Sequence, residues 1–208
     1  MKEQSPKKLI CYLIIFFLLI IIRVFIYNAF DRNIADDTAR MLVSQLFKFC
    51  IWVLPVFLYL IFIDKTNPFS FLKLTTSLKA GLLWSLGIAA ACVLWQYLEI
   101  VFLGDKIGPA SMSSVLGLIF IPIFEELPMR GFILQKLAQF MPFPKALFLS
   151  ALLFLLAHIP GWLLIPPGLP PLQMLFNSFS VFVVVGLLGG LLNKKSNSLY
   201  PSIVLHFA

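Results

Sequence analysis

Charge is scarce in this chain. Asp, Glu, Lys and Arg make up 12% of its 208 residues, against about 25% in soluble domains. There are two histidines in the whole sequence and three cysteines. Cys11, Cys50 and Cys92 stand singly inside apolar stretches, without CxxC spacing or an even count, which argues against a disulfide framework and against a cysteine metal site. The sequence also lacks HExxH, a GxSG serine, an aspartate pair in a GxGD context, a P-loop and GxGxxG. Those absences remove a zinc site on a single helix, a serine site and the phosphate-cradling loops.

Apolar residues fill the composition instead. They account for 61% of the chain, 22 of them Phe, and the mean hydropathy is +0.99. A water-soluble domain of this size could not bury so much apolar side chain, so the sequence reads as an integral, multi-pass protein of the cell membrane. The formal charge of +7 is carried by sixteen Lys and Arg scattered in ones and twos between apolar runs. With no basic stripe, nucleic acid is not an expected partner; the lipid bilayer is.

The apolar runs cover residues 9–27, 42–63, 80–103, 114–137, 144–164 and 172–192, each close to the roughly 20 residues that cross a bilayer as a helix. A seventh starts near Leu199 and stops at Ala208. Ten helical residues rise only about 15 Å, so this last segment is expected to be truncated or re-entrant. The fold expected is an all-α membrane bundle of about seven segments. With a cytoplasmic N-terminus, the inside segments hold ten basic residues: Lys2, Lys7, Lys8, Lys65, Lys73, Lys79, Lys136, Lys145, Lys194 and Lys195. The outside loops hold three, Arg32, Arg40 and Lys106, while Arg23, Lys48 and Arg130 fall inside spans. Ten against three follows the positive-inside rule.

Polar groups inside a bilayer cost several kcal/mol unless paired or wetted, so they mark function. The fourth run carries Glu125, Glu126 and Arg130 in FEELPMRGF, the fifth carries His158, and the seventh carries His206. Helical rise sets these groups roughly 10–20 Å from the cytoplasmic ends of their helices, so they can converge on one cavity. A carboxylate and two imidazoles there can activate water, directly or through a metal. Zinc would need about three ligands and an open position, which Glu125, His158 and His206 can supply. Glu126 and Arg130 are four apart and share a helix face, whereas Glu125 is turned about 100° away and is left as the free base. Pro128 lacks an N–H, and a kink there would open space beside the glutamates. The Gly186 and Gly190 pair has the spacing of close helix packing.

Three of these stretches resemble the CAAX protease and bacteriocin-processing (CPBP, or Abi) family, whose pattern is EExxxR, then FxxxH, then a final histidine followed four residues later by Asn or Asp. Glu125-Glu126-Leu-Pro-Met-Arg130 matches the first element and Phe154-Leu-Leu-Ala-His158 the second, and the approach to His206 resembles the third. The final Asn or Asp would fall at position 210, past Ala208. The resemblance divides the chain into N-terminal transmembrane helices at 1–110 and a catalytic helix bundle at 111–208. It implies an intramembrane endopeptidase open to the cytoplasm, acting on a small peptide precursor or lipidated protein. Glu125 and His158 would activate water and His206 would stabilise the oxyanion, with or without a metal. The reading from another class is a non-catalytic bacteriocin-immunity or membrane scaffold protein.

Overall fold

Apolar runs of bilayer length become six long helices in the computed structural model, which describes residues 6–104, 108–165 and 168–207. They are α1 (Pro6–Asn33), α2 (Asp37–Asp64), α3 (Leu78–Phe102), α4 (Met112–Leu137), α5 (Phe143–Leu164) and α6 (Pro171–Ser196). A single turn, Pro68–Phe71, joins α2 to α3, and the seventh run forms a short helix, α7 (Tyr200–Phe207). No strand occurs among the described residues. The protein is a polytopic helical bundle. Lys2 and Lys106, used in the orientation count, lie outside the described residues, as does Ala208.

Two helices outrun their apolar cores at the same end. α1 continues to Asn33 and α2 starts at Asp37, where the Asp36 carboxylate accepts from the Ala39 amide at 2.7 Å and satisfies a free N–H of the first turn. The polar groups this brings in are paired. Arg23 forms an ion pair with the fully buried Asp31 and donates to the Ser44 hydroxyl at 2.7 Å. Asp31 is therefore enclosed within the protein.

The space expected at Pro128 comes from a widened, π-type turn spanning Leu127–Ile133. Pro128 cannot donate to the preceding turn, and such widened turns are frequent at functional sites. The Ser150 hydroxyl of α5 donates to the Met129 carbonyl at 3.2 Å within this segment.

Close approach of α5 and α6 fixes the back of the bundle. A Cβ on Gly186 would stand 2.8 Å from the Cβ of Ala151, and one on Gly190 would stand 2.3 Å from a Leu147 methyl. Glycine at both places is what lets the helices meet.

The end of the bundle that carries Lys65, Lys73, Lys79, Lys194 and Lys195 is sealed. Met129, Phe132, Ile133, Leu134 and Leu199 are buried there. Lys136, expected as a loop charge, is instead buried in an ion pair with Asp64, its ammonium 5.1 Å from the Phe71 ring. The Asn193 side-chain oxygen accepts from Gln135 at 2.8 Å and from Lys73 at 3.2 Å. Burial, and then the neighbouring Lys194, lower the pKa of Lys73.

Candidate active site

The widened turn in α4, the middle of α5 and the end of α7 meet at one point. Glu125, Glu126, Arg130, His158 and His206 are all brought together there. Glu125 Oε2 lies 3.3 Å from His158 Nε2 and 3.5 Å from His206 Nε2. Glu126 Oε1 lies 3.0 Å from His206 Nδ1 and 3.1 Å from Arg130 Nη1. Glu126 and Arg130 are almost wholly enclosed, at 0% and 1% exposure, so the ion pair expected from their four-residue spacing is an internal one.

Phe154 organises the centre. Its backbone carbonyl accepts a hydrogen bond from His158 Nδ1 at 2.9 Å. Its ring carries the Arg130 guanidinium 4.1 Å from the centroid and meets both imidazoles edge-on, at 4.6 Å and 5.8 Å. The FxxxH spacing therefore provides the carbonyl that orients the histidine and the ring that covers the arginine.

One partner escaped the sequence reading. Glu125 is not left without a cation, because Lys48 of α2 forms an ion pair with its Oε1. The two residues are 77 apart in sequence, beyond any helical spacing. The available signal was a lysine inside an apolar run, a placement that needs a buried or wetted partner. By contrast Gln96 and Glu99 of α3 bond to each other at 3.4 Å on an exposed face.

The hydrogen bonds also constrain the protons. The Phe154 carbonyl can only accept, so His158 carries a proton on Nδ1, and the Glu126 carboxylate holds His206 the same way. In the neutral rings both Nε2 atoms are then bare, and both face Glu125 Oε2. That oxygen is buried and has no hydrogen-bond partner. Three acceptors around one small space call for a shared water or proton to bridge them.

Charge balance at the site bears on whether it holds a metal. Two buried carboxylates here are already balanced by Lys48 and Arg130. A divalent ion would add two uncompensated charges at a cost of several kcal/mol each. Among the described residues no group of three or more His, Cys, Asp or Glu is arranged to hold a metal ion. The residues do not fit one.

A cavity of about 730 Å³ leads to this point, with Lys48, Glu125 and His158 at its inner end. Its walls continue through Arg23, Tyr27 and Trp162 to Arg40, Ser113 and Leu169. Those last residues sit where α1 joins α2, where α4 begins and where α5 joins α6. The Asn28 amide donates to the Leu164 carbonyl at 3.0 Å, which ties α1 to α5 at that same end. The cavity lining thus runs toward the end of the bundle opposite the lysine-rich one. The lysine-rich end is plugged by large side chains and by the Lys136–Asp64 pair.

Residues 108–208 match the family model described as Rce1-like, type II CAAX prenyl endopeptidase. That span includes Glu125, Glu126, Arg130, His158 and His206. No curated protein and no solved structure matches the chain.

Proposed function

We propose, on the match of residues 108–208 to the Rce1-like family of type II CAAX prenyl endopeptidases, an intramembrane endopeptidase that uses a water activated by Glu125 and His158. The substrate is a small peptide precursor or a lipidated protein, and the bilayer is the cell membrane. The observation that supports this reading is the convergence of His158 Nε2 and His206 Nε2 on Glu125 Oε2, at 3.3 Å and 3.5 Å.

In this reaction Glu125 takes a proton from the water held between it and His158, and the water oxygen attacks the scissile carbonyl carbon. His206, in its protonated form, donates from Nε2 to the developing oxyanion while Glu126 holds its Nδ1–H. Collapse of the tetrahedral species breaks the C–N bond. The leaving nitrogen takes the proton from Glu125, giving a new carboxylate end and a new amine end. Arg130 positions Glu126, and Lys48 positions Glu125.

Incubating the purified protein with a farnesylated C-terminal peptide and with an unmodified leader-type peptide tests the reading, with products sequenced by mass spectrometry. Cleavage of either supports it. Stable binding without any new peptide terminus supports the scaffold reading instead. The same assay after exhaustive chelation should give an unchanged rate, with zinc at background in the purified protein. Activity that disappears on chelation and returns with zinc would overturn the metal-free mechanism.

Lys48→Met should lower kcat about 10- to 100-fold with KM nearly unchanged. The lost charge-assisted hydrogen bond is worth about 1.5–3 kcal/mol. Lys48→Arg should recover much of the loss. Equal effects of the Met and Arg variants on kcat would remove the positioning role.

A further inference from the structure

One face of α2 forms a wall of the cavity that ends at Glu125. Met41, Ser44, Gln45, Lys48 and Trp52 all line it, at the three- and four-residue spacing that keeps them on one side of a helix. Ser44 and Lys48 are engaged: Ser44 accepts from Arg23 at 2.7 Å, and Lys48 holds Glu125. Gln45 is not. It is 7% exposed, and its Oε1 is buried with no hydrogen-bond partner. Its Nε2 donates to the Met41 sulfur at 3.4 Å, a weak acceptor. A buried amide left unpaired costs stability, and an apolar residue of the same shape would not. An amide kept in this wall, one helical turn from Lys48, is placed to pair with whatever occupies the cavity.

We propose that Gln45 is a substrate-binding residue whose Oε1 accepts a hydrogen bond from a backbone N–H of the bound peptide. This rests on the endopeptidase reading of the same site. Position along the helix decides which N–H it is. Gln45 and Lys48 are three residues apart, about 4.5 Å of helical rise, and Lys48 reaches Glu125. An extended chain advances about 3.3–3.6 Å per residue, so the N–H belongs to a residue one or two from the scissile bond. Every peptide unit other than proline's carries such a donor. The contact is therefore the same for an unmodified and for a lipidated peptide, and it fixes the main chain without selecting a side chain. A bond made alike in the bound substrate and in the transition state acts on affinity and KM, with kcat little changed.

The test uses the full chain carrying Glu125→Gln, so that bound peptide is not turned over, and the same protein with Gln45→Met added. Gln45→Leu repeats the comparison, so that poor expression of one apolar variant leaves the other informative. Affinity is measured in detergent for the farnesylated C-terminal peptide and the unmodified leader-type peptide, each also made with one backbone N–H at a time replaced by N–CH3. Gln45→Met should weaken binding of the unmethylated peptides about 3- to 10-fold, with a melting temperature equal to or above that of the parent. Methylation at one position should cost the protein with Gln45 a similar factor and cost the Gln45→Met protein little, the non-additivity that marks a direct contact. Unchanged affinity in Gln45→Met, or methylation penalties equal in both proteins at every position, overturns the proposal and leaves the endopeptidase standing. A Gln45 that only holds a cavity water gives that result. A fall in melting temperature that tracks the loss of affinity, without the methylation coupling, shows a structural residue and also overturns it. The coupled loss of affinity, with neither peptide cleaved by the chain that retains Glu125, overturns the endopeptidase reading and keeps Gln45 as a peptide-binding residue.

Discussion

Glu125→Gln abolishes peptide cleavage while the protein still inserts, purifies and melts near the wild-type temperature. The amide keeps the shape of the side chain and can accept from Lys48, but it cannot take a proton from water. Loss of a general base lowers the rate by roughly 10²–10⁴-fold. The stability change stays small because Lys48, which lines the cavity, can reach water. Combining Glu125→Gln with Lys48→Met should recover whatever stability the single variant loses without recovering cleavage. Thermal melts in detergent and peptide cleavage on the same preparations give both readouts. Wild-type cleavage by Glu125→Gln, alongside a well-folded and inactive Glu126→Gln, would exchange the roles of the two glutamates.

Arg130→Ala and Glu126→Gln should fail in a different way, by losing folded protein. Their pair is closed off from water and from the cavity, with the guanidinium resting on Phe154. Removing one partner of such a pair costs about 3–5 kcal/mol, a large part of the 5–15 kcal/mol that holds a typical domain together. Low yield, aggregation and a depressed melting temperature are the expected results. Reversing the charges with Glu126→Arg and Arg130→Glu restores the pair only in part, because it sets a guanidinium against His206 Nδ1–H, which donates to Glu126 at 3.0 Å. An Arg130→Ala variant that melts like wild type would show that the pair does not support the fold.

Most of the spans and most of the candidate site are legible before any coordinates are known, because both rest on local rules. A bilayer-length apolar run must close its own backbone hydrogen bonds, so it becomes a helix wherever it packs. Four-residue spacing puts Glu126 beside Arg130 and turns Glu125 away, and helical rise puts His158 and His206 within reach. The same reasoning left three pairings unseen. Lys48 and Asp31 had no assigned partner, and Lys136 was read as a loop charge. Lys48 and Lys136 are paired across helices, with Glu125 and Asp64, and Asp31 is paired with Arg23 eight residues back on α1. No spacing rule reaches across 77 residues or reports which helix faces which.

How the helices close around the site was decided by packing alone. Gly186 and Gly190 draw α6 onto α5, and Leu199 with Phe132 and Ile133 fills one end of the bundle, while among the described residues a cavity remains between Arg23, Ser113 and Trp162. The sequence by itself determined that the chain crosses the membrane in helices and that acids, an arginine and two histidines lie at similar depth within it. The tertiary structure decided that Glu125 pairs with Lys48 and faces both imidazoles, while Glu126 pairs with Arg130 and holds His206. Hydropathy and helical period constrain a segment along its own axis; partner choice and access depend on side-chain volume between segments distant in the chain.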